Sequence, residues 1–160
     1  MPYADNDSKF VAVINTRHAL PVVLNALAHS AYGLSGKPGA PDGLLDYANA
    51  ATGFASKIHE FPFIVLECRS AAAMRQLLAR CTAADGVVYN VFSTSMVGPS
   101  ATEQREATAA APADDLDLVV VVLFGAREKV DPLTKKFSLI KGGPIAPAAP
   151  ANAAAGTVIA

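Results

Sequence analysis

Charge is scarce in this sequence, and neither sign is in excess. Asp, Glu, Lys and Arg make up 17% of the 160 residues, and the formal net charge is −1. Proteins that bind nucleic acid usually carry a basic excess, because they must neutralise phosphate groups. The charge balance therefore argues against nucleic acid as a partner.

Long apolar runs are also absent. The longest, residues 116–125, has the length of a strand and contains Asp117, whereas a membrane-spanning helix needs about 20 apolar residues. Residues 1–9 are polar and acidic, unlike a signal peptide. We therefore predict a cytoplasmic protein that does not associate with membranes.

The sequence has only two cysteines, Cys68 and Cys81, and their spacing is not that of a metal site. We predict that both are buried thiols in a reducing compartment. A disulfide or a nucleophilic role is the alternative, but neither cysteine has a base nearby in the sequence. The histidines also lack spaced cysteine or carboxylate partners, so we predict no metal and no cofactor.

Strand-like and helix-like segments alternate along the chain. Near-continuous apolar runs predict strands buried on both faces, and these runs are residues 9–15, 61–69, 87–92 and 116–124. Helical periodicity predicts helices at residues 20–34, 71–84 and 102–111. Such alternation is typical of an α/β domain with a mostly parallel sheet covered on both faces.

The chain is long enough for one domain with a core of its own. We predict a flexible N-terminus at residues 1–8, a single α/β domain at residues 9–141, and a tail at residues 142–160. The tail consists mainly of Ala, Pro and Gly with almost no charge, and we predict that it is disordered.

The first predicted helix, residues 20–34, carries polar side chains of functional interest. Its apolar spacing predicts a core face formed by Leu20, Leu24, Leu27, Ala28 and Ala31. Asn25 and His29 are four residues apart and therefore share a face.

Further polar side chains follow the first and third long strands. Ligands of open α/β sheets bind near strand ends, so we expect a neutral polar pocket where these ends meet the first helix. Its candidate residues are Asn15, His18, Asn25, His29, Asn90, Ser93, Thr94 and Ser95.

Each candidate also has a purely structural interpretation. His29 would be a core histidine bonded to a carbonyl or hydroxyl, and His18 an exposed turn residue. Asn15 and Asn90 would satisfy backbone groups at strand ends, and residues 93–95 would form a capped turn. A histidine and a serine perform nucleophilic catalysis only if a third group orients the base, and no acid lies nearby in the sequence.

Three segments carry a resemblance to a known family. They read Asn-Ala-Leu-Ala-His-Ser-Ala at residues 25–31, Ser-Thr-Ser-Met at residues 93–96, and Val-Asp-Pro-Leu-Thr-Lys-Lys-Phe-Ser-Leu at residues 130–139. Here the chain resembles the bacterial domain-of-unknown-function family two thousand. That family is similar in fold to the archaeal and eukaryotic type II peptidyl-tRNA hydrolases. The resemblance implies a three-layer α/β/α sandwich with a four-stranded mixed sheet.

The hydrolase residues are only partly present. By this resemblance His29 matches the helix histidine of those enzymes, and Thr94 matches a threonine that follows a strand. Asn15 and Asn90 stand where the enzymes have aspartates, and Val22 stands where they have a lysine. Ester cleavage needs a group that activates water and a group that stabilises the oxyanion, and an amide is not a general base.

The sequence therefore favours a binding domain over an enzyme. Its partner would be a small molecule or a protein, held by the neutral polar pocket. The alternative is a hydrolase of a small ester or amide, or less plausibly of peptidyl-tRNA, that uses His29 with Thr94 or Ser93. A third interpretation is a homodimer that associates through an exposed apolar strip.

Overall fold

The computed structural model describes residues 6–141. Residues 1–5 of the predicted flexible N-terminus and the whole predicted tail, residues 142–160, lie outside this part of the chain. The predicted domain boundaries therefore stay predictions. Within the described part, Asn6 donates a hydrogen bond from Nδ2 to the Glu60 carbonyl at 2.7 Å, and the Arg127 amide donates to the Asp7 carbonyl at 2.7 Å.

The described residues form an α/β fold whose main elements lie close to their predicted bounds. The strands are β1 (Ser8–Asn15), β2 (Leu44–Ala48), β3 (Ala55–His59), β4 (Phe63–Cys68), β5 (Val87–Ser93), β6 (Leu118–Ala126) and β7 (Ser138–Leu139). The helices are α1 (Leu20–Leu34), α2 (Ala71–Ala83), α3 (Ala101–Ala110) and α4 (Arg127–Thr134). A helix with the length and apolarity required to span a bilayer is absent from residues 6–141.

The main sheet has five strands in the order β5-β6-β1-β4-β7. Only β1 and β4 pair in parallel, whereas β1–β6, β5–β6 and β4–β7 are antiparallel. The prediction of a four-stranded, mostly parallel sheet is therefore wrong. β1, β4 and β5 do run in one direction, as the alternation of strands and helices suggests, but β6 enters antiparallel between β1 and β5.

Helices cover both faces of this sheet. On β1, Val11 and Val13 face a core that contains Met74 and Leu77 of α2. The alternate residues of β1 face a second core, which contains Val23 and other residues of α1. This alternation follows from the two-residue period of a strand. β6 is buried almost throughout, as its uninterrupted apolar sequence predicts.

α1 turns a different face to the sheet from the one that the sequence predicts. The buried residues are Val23, Ala26, Ser30 and Leu34, whereas Leu20 is 66% exposed. Both sets follow helical spacing, so periodicity alone does not choose between them. The small side chains of Ala26 and Ser30 allow the helix to lie close to the sheet.

β2 and β3 form a separate two-stranded hairpin. Its apolar residues are largely exposed: Leu44, Leu45, Tyr47 and Ile58 each keep close to half of their surface accessible. At its base the His59 ring meets the Phe10 ring edge-on at 4.8 Å between centroids. The hairpin is an exposed apolar strip of the kind that a homodimer would use, and the homodimer stays a prediction.

Candidate functional site

A cleft of about 800 Å³ lies between α1, β5 and α3. We call it the α1–α3 cleft. Its polar lining consists of Asn25, His29, Ser30, Asn90, Gln104, Arg105 and Thr108. Its apolar lining includes Val91, Phe92, Met96, Val97 and Ala109. α1 and the distant β5–α3 segment therefore bring polar and apolar groups to one concave surface.

The rotation of α1 determines what faces the cleft. Because Val23 and Ala26 face the sheet, Asn25 and His29 are exposed and line the cleft from one side. The His29 ring lies 6.1 Å from the Phe92 ring, centroid to centroid. The interpretation of His29 as a core histidine is therefore wrong, because its side chain is not buried.

Asn90 joins β5 to α1 within the cleft. Its Nδ2 donates a hydrogen bond to the Ser30 carbonyl at 3.1 Å. Gly33 makes this approach feasible, because a Cβ at that position would lie 2.7 Å from the Asn90 Nδ2. Asn90 thus satisfies a backbone group, as its structural interpretation predicts, and it also lines the cleft.

Ser30 is the most unusual residue of the cleft wall. It is only 1% exposed. Within residues 6–141, its Oγ is the sole buried side-chain oxygen or nitrogen that has no hydrogen-bond partner. An unpaired buried hydroxyl costs about 1–3 kcal/mol relative to a paired one. The atom is closed to solvent, as expected for a residue on the sheet-facing side of α1.

Hydroxyl residues at the end of β5 and just after it form a hydrogen-bonded chain that ends at the cleft. Ser93 Oγ and Ser95 Oγ are 2.6 Å apart, and Ser95 Oγ is 3.0 Å from the Oγ1 of Thr108. Ser93 is buried and Thr94 is exposed, with its amide donating to the Asp117 carbonyl at 3.0 Å. Neither Ser93 nor Thr94 lines the cleft with His29.

The other two candidates, Asn15 and His18, form a separate strand-end group with Asp117. Asn15 is fully buried, and its Nδ2 donates to the Leu118 carbonyl at 3.0 Å while its Oδ1 accepts from the Arg17 amide at 3.2 Å. His18 Nε2 lies 3.2 Å from Asp117 Oδ1. His18 is therefore a paired side chain rather than a free turn residue, and neither candidate lines the cleft.

The predicted pocket is thus divided between two places. β1 and β5 terminate at the same end of the sheet, as expected, but β6 lies between them. The Leu118 carbonyl of β6 accepts the hydrogen bond from Asn15, and Leu118 is the strand partner of Ser93. Asn25, His29 and Asn90 meet in the cleft, and Ser95 reaches it through Thr108. The strand-end group lies apart.

Sequence reasoning missed the wall that α3 contributes. Gln104 and Thr108 are four residues apart, as are Arg105 and Ala109, so these four residues share a helix face. This four-residue spacing was the only sequence signal that could have indicated the α3 wall. It does not distinguish a cleft wall from a solvated surface, because α3 has no buried residue to orient it.

The cleft differs in charge from the neutral pocket that the sequence predicts. Arg105 lines it, and no aspartate or glutamate does. Arg105 takes part in none of the ion pairs within residues 6–141. Its Nε donates to the Ala101 carbonyl of its own helix at 3.3 Å, which leaves the two terminal nitrogens of the guanidinium group for other partners.

The cysteines lie outside the cleft. Both are buried and free, so the predicted buried thiols are confirmed and no disulfide joins Cys68 to Cys81. Burial raises the pKa of the Cys81 thiol to about 11, and the nearby Arg80 offsets only part of this increase. Cys81 therefore stays protonated at neutral pH and is a poor nucleophile. The described residues contain no cluster of three or more potential metal ligands of the His, Cys, Asp and Glu types.

Comparison with known proteins places the chain in a family. No curated protein matches it. Among solved structures it is similar to the protein of unknown function Atu0240 from Agrobacterium tumefaciens strain C58, with 22% identity and a TM-score of 0.71 over 84% of this chain and 98% of the other. At that identity the likeness concerns the fold. The family model described as "Protein of unknown function (DUF2000)" matches residues 8–141, and the chain therefore belongs to the DUF2000 family.

Proposed function

We propose that this protein is a binding domain whose small-molecule ligand occupies the α1–α3 cleft. The observation that carries the proposal is the α1–α3 cleft itself, where polar side chains from α1, β5 and α3 converge beside apolar ones on one concave surface. Buried hydroxyls almost always have a partner. The Ser30 Oγ has none within the described residues, but it is closed to solvent, so the groups that a ligand would meet are the exposed side chains of the cleft.

The rest of the cleft has the properties of a small-molecule site. Its volume of about 800 Å³ falls within the range of about 300–1,000 Å³ that is typical of such sites. The side chains of Asn25 and His29 make no hydrogen bond within the described residues, although both line the cleft. Apolar surface from Phe92 and Met96 accompanies these polar groups, which is the usual composition of ligand pockets.

The competing proposal is a hydrolase that uses His29 with Thr94 or Ser93. The geometry gives it less support, because His29 lines the cleft and the two hydroxyl residues do not. The Oγ of Ser93 is engaged with Ser95 at 2.6 Å. His29 also has no carboxylate partner, since the only histidine in an ion pair with an acid in residues 6–141 is His18.

The likeness in fold to type II peptidyl-tRNA hydrolases belongs to this competing proposal. It rests on the matches at His29 and Thr94 and on helices that cover both faces of a mixed sheet. The residue at the position of the enzymes' acid, Asn15, is buried and bonded to backbone. That arrangement favours a structural role for Asn15 over catalysis.

A thermal-shift screen against metabolites, with a cleft-filling variant alongside, tests the proposal. Ligand at 100 times its Kd stabilises a protein by about 2.7 kcal/mol, and we expect a melting-temperature rise of several degrees for a hit. Ala109→Trp should abolish that rise, because Ala109 lines the cleft. Ala107→Trp, on an exposed and non-lining position of the same helix, is the matched control.

A hit that Ala109→Trp retains would place the ligand elsewhere, and a screen without hits would contradict small-molecule binding. Hits that contain an ester or amide are then incubated with the wild type and with His29→Ala. Turnover that requires His29 would favour the hydrolase over the binding domain.

A further inference from the structure

We propose that the ligand of the α1–α3 cleft is a monocarboxylate with an apolar body. This inference rests on the proposed function and specifies the chemical class of the ligand. It follows from three properties of the lining residues: their charge, their hydrogen-bonding groups and their apolar surface.

The charge of the cleft matches a single negative charge. Arg105 carries the only fixed charge among the lining residues, since no acid and no lysine is among them. Its guanidinium group is in no ion pair within residues 6–141, and its own helix engages only Nε. A guanidinium group binds carboxylates through two parallel N–H···O bonds. A phosphate dianion would bring a second negative charge that no lining cation neutralises.

The neutral polar groups suit the rest of such a ligand. The Asn25 side chain is exposed, lines the cleft and makes no hydrogen bond within the described residues, so its amide offers both a donor and an acceptor. It lines the same cleft as Arg105 but belongs to α1. A carboxylate that binds Arg105 would leave Asn25 available to a second polar atom of the ligand, such as a hydroxyl or carbonyl oxygen.

The apolar lining determines the body of the ligand. Phe92 is nearly buried at the base of the cleft, with the His29 ring 6.1 Å away and inclined at 34°. Met96 and Val97 add flexible and branched apolar surface. Methionine adapts to ligands of irregular shape, and an aromatic ring packs favourably against another ring in an offset or edge-on arrangement. Aromatic or branched aliphatic carboxylates therefore fit this surface better than small polar acids such as acetate.

Calorimetric titration with matched probe pairs tests the inference. The probes are benzoate, phenylacetate, 3-phenylpropionate and 4-methylpentanoate, each compared with its primary amide, which has the same shape and no charge. We expect at least one carboxylate to bind about tenfold more tightly than its amide at low ionic strength. Arg105→Gln should reduce that ratio to near one. Arg17→Gln, which removes an exposed arginine outside the cleft, should leave it unchanged.

The outcomes separate this inference from the proposed function. Equal binding of acid and amide, or a ratio that persists in Arg105→Gln, would overturn the carboxylate and leave the binding cleft in place. Tighter binding of phenyl phosphate than of every carboxylate would overturn the charge argument. If no probe binds at millimolar concentration, the carboxylate class is overturned, while a metabolite hit of another class that Ala109→Trp abolishes would still support the binding domain.

Discussion

The strand-end group and the α1–α3 cleft contain the same kinds of residue in opposite circumstances. Asn15 and His18 are engaged: each polar atom of the Asn15 side chain has a backbone partner, and His18 pairs with Asp117. Asn25 and His29 lie in an open cleft beside an unpaired Ser30. Polar residue type therefore does not identify a site. The distinction lies in whether the fold already supplies the partners.

The largest expected difference is between the two asparagines. Asn15→Ala should lower the free energy of unfolding by about 2–3 kcal/mol, because it leaves the buried Leu118 carbonyl without its side-chain donor. Asn25→Ala should change that free energy by less than about 0.5 kcal/mol, as is usual for exposed residues. Urea unfolding of both variants measures the contrast. Similar losses in the two variants would contradict the distinction between an engaged group and a free one.

A smaller effect is expected at Gly33, beside the hydrogen bond from Asn90 to α1. Gly33→Ala would ordinarily stabilise a helix by about 1 kcal/mol, but its Cβ would lie 2.7 Å from the Asn90 Nδ2. The substitution should displace the Asn90 amide from the Ser30 carbonyl and lose most of that gain. In an Asn90→Ala background the gain should return, which gives a coupling energy of about 1 kcal/mol. A double-mutant cycle with additive effects would refute the contact.

The smallest expected effect has the opposite sign. Ser30→Ala removes a buried hydroxyl that has no partner and introduces a better helix former. The free protein should therefore gain about 0.5–1 kcal/mol of stability. Ser93→Ala, which removes a hydroxyl paired with Ser95, is the control and should destabilise. Loss of stability in Ser30→Ala would mean that its hydroxyl has a partner in the free protein.

The main elements were predictable because their signals are local. The apolar runs that became β1 and β6 and the periodicity of α1 depend on neighbouring residues only. Sheet order depends on pairings between distant segments, and nothing local in β6 indicates that it enters between β1 and β5. α1 was predicted as a helix but with the wrong face, since Leu20 and Leu24 fit helical spacing as well as Val23 and Ala26 do.

The candidate site was likewise predictable only where its signal is local. Asn25 and His29 share a helix face, which sequence spacing alone establishes, and both line the cleft. The contribution of Arg105 was missed because α3 has no apolar stripe that would orient it toward the sheet. The separation of Asn15 and His18 from the cleft follows from the insertion of β6, and therefore from the same nonlocal pairing that determines the sheet order.

The position of β6 also affects the order in which the chain can fold. β1 is central in the sheet and pairs with β4 on one side and β6 on the other, with Ser8 opposite Ala126 and Ile14 opposite Val120. During synthesis β1 therefore leaves the ribosome long before its second partner exists, and one of its edges stays unpaired until then. The α1–α3 cleft depends on the same event, because β5, which lies beneath the cleft, is joined to the sheet only through β6. The α1–α3 cleft is thus expected to be among the last parts of the domain to form.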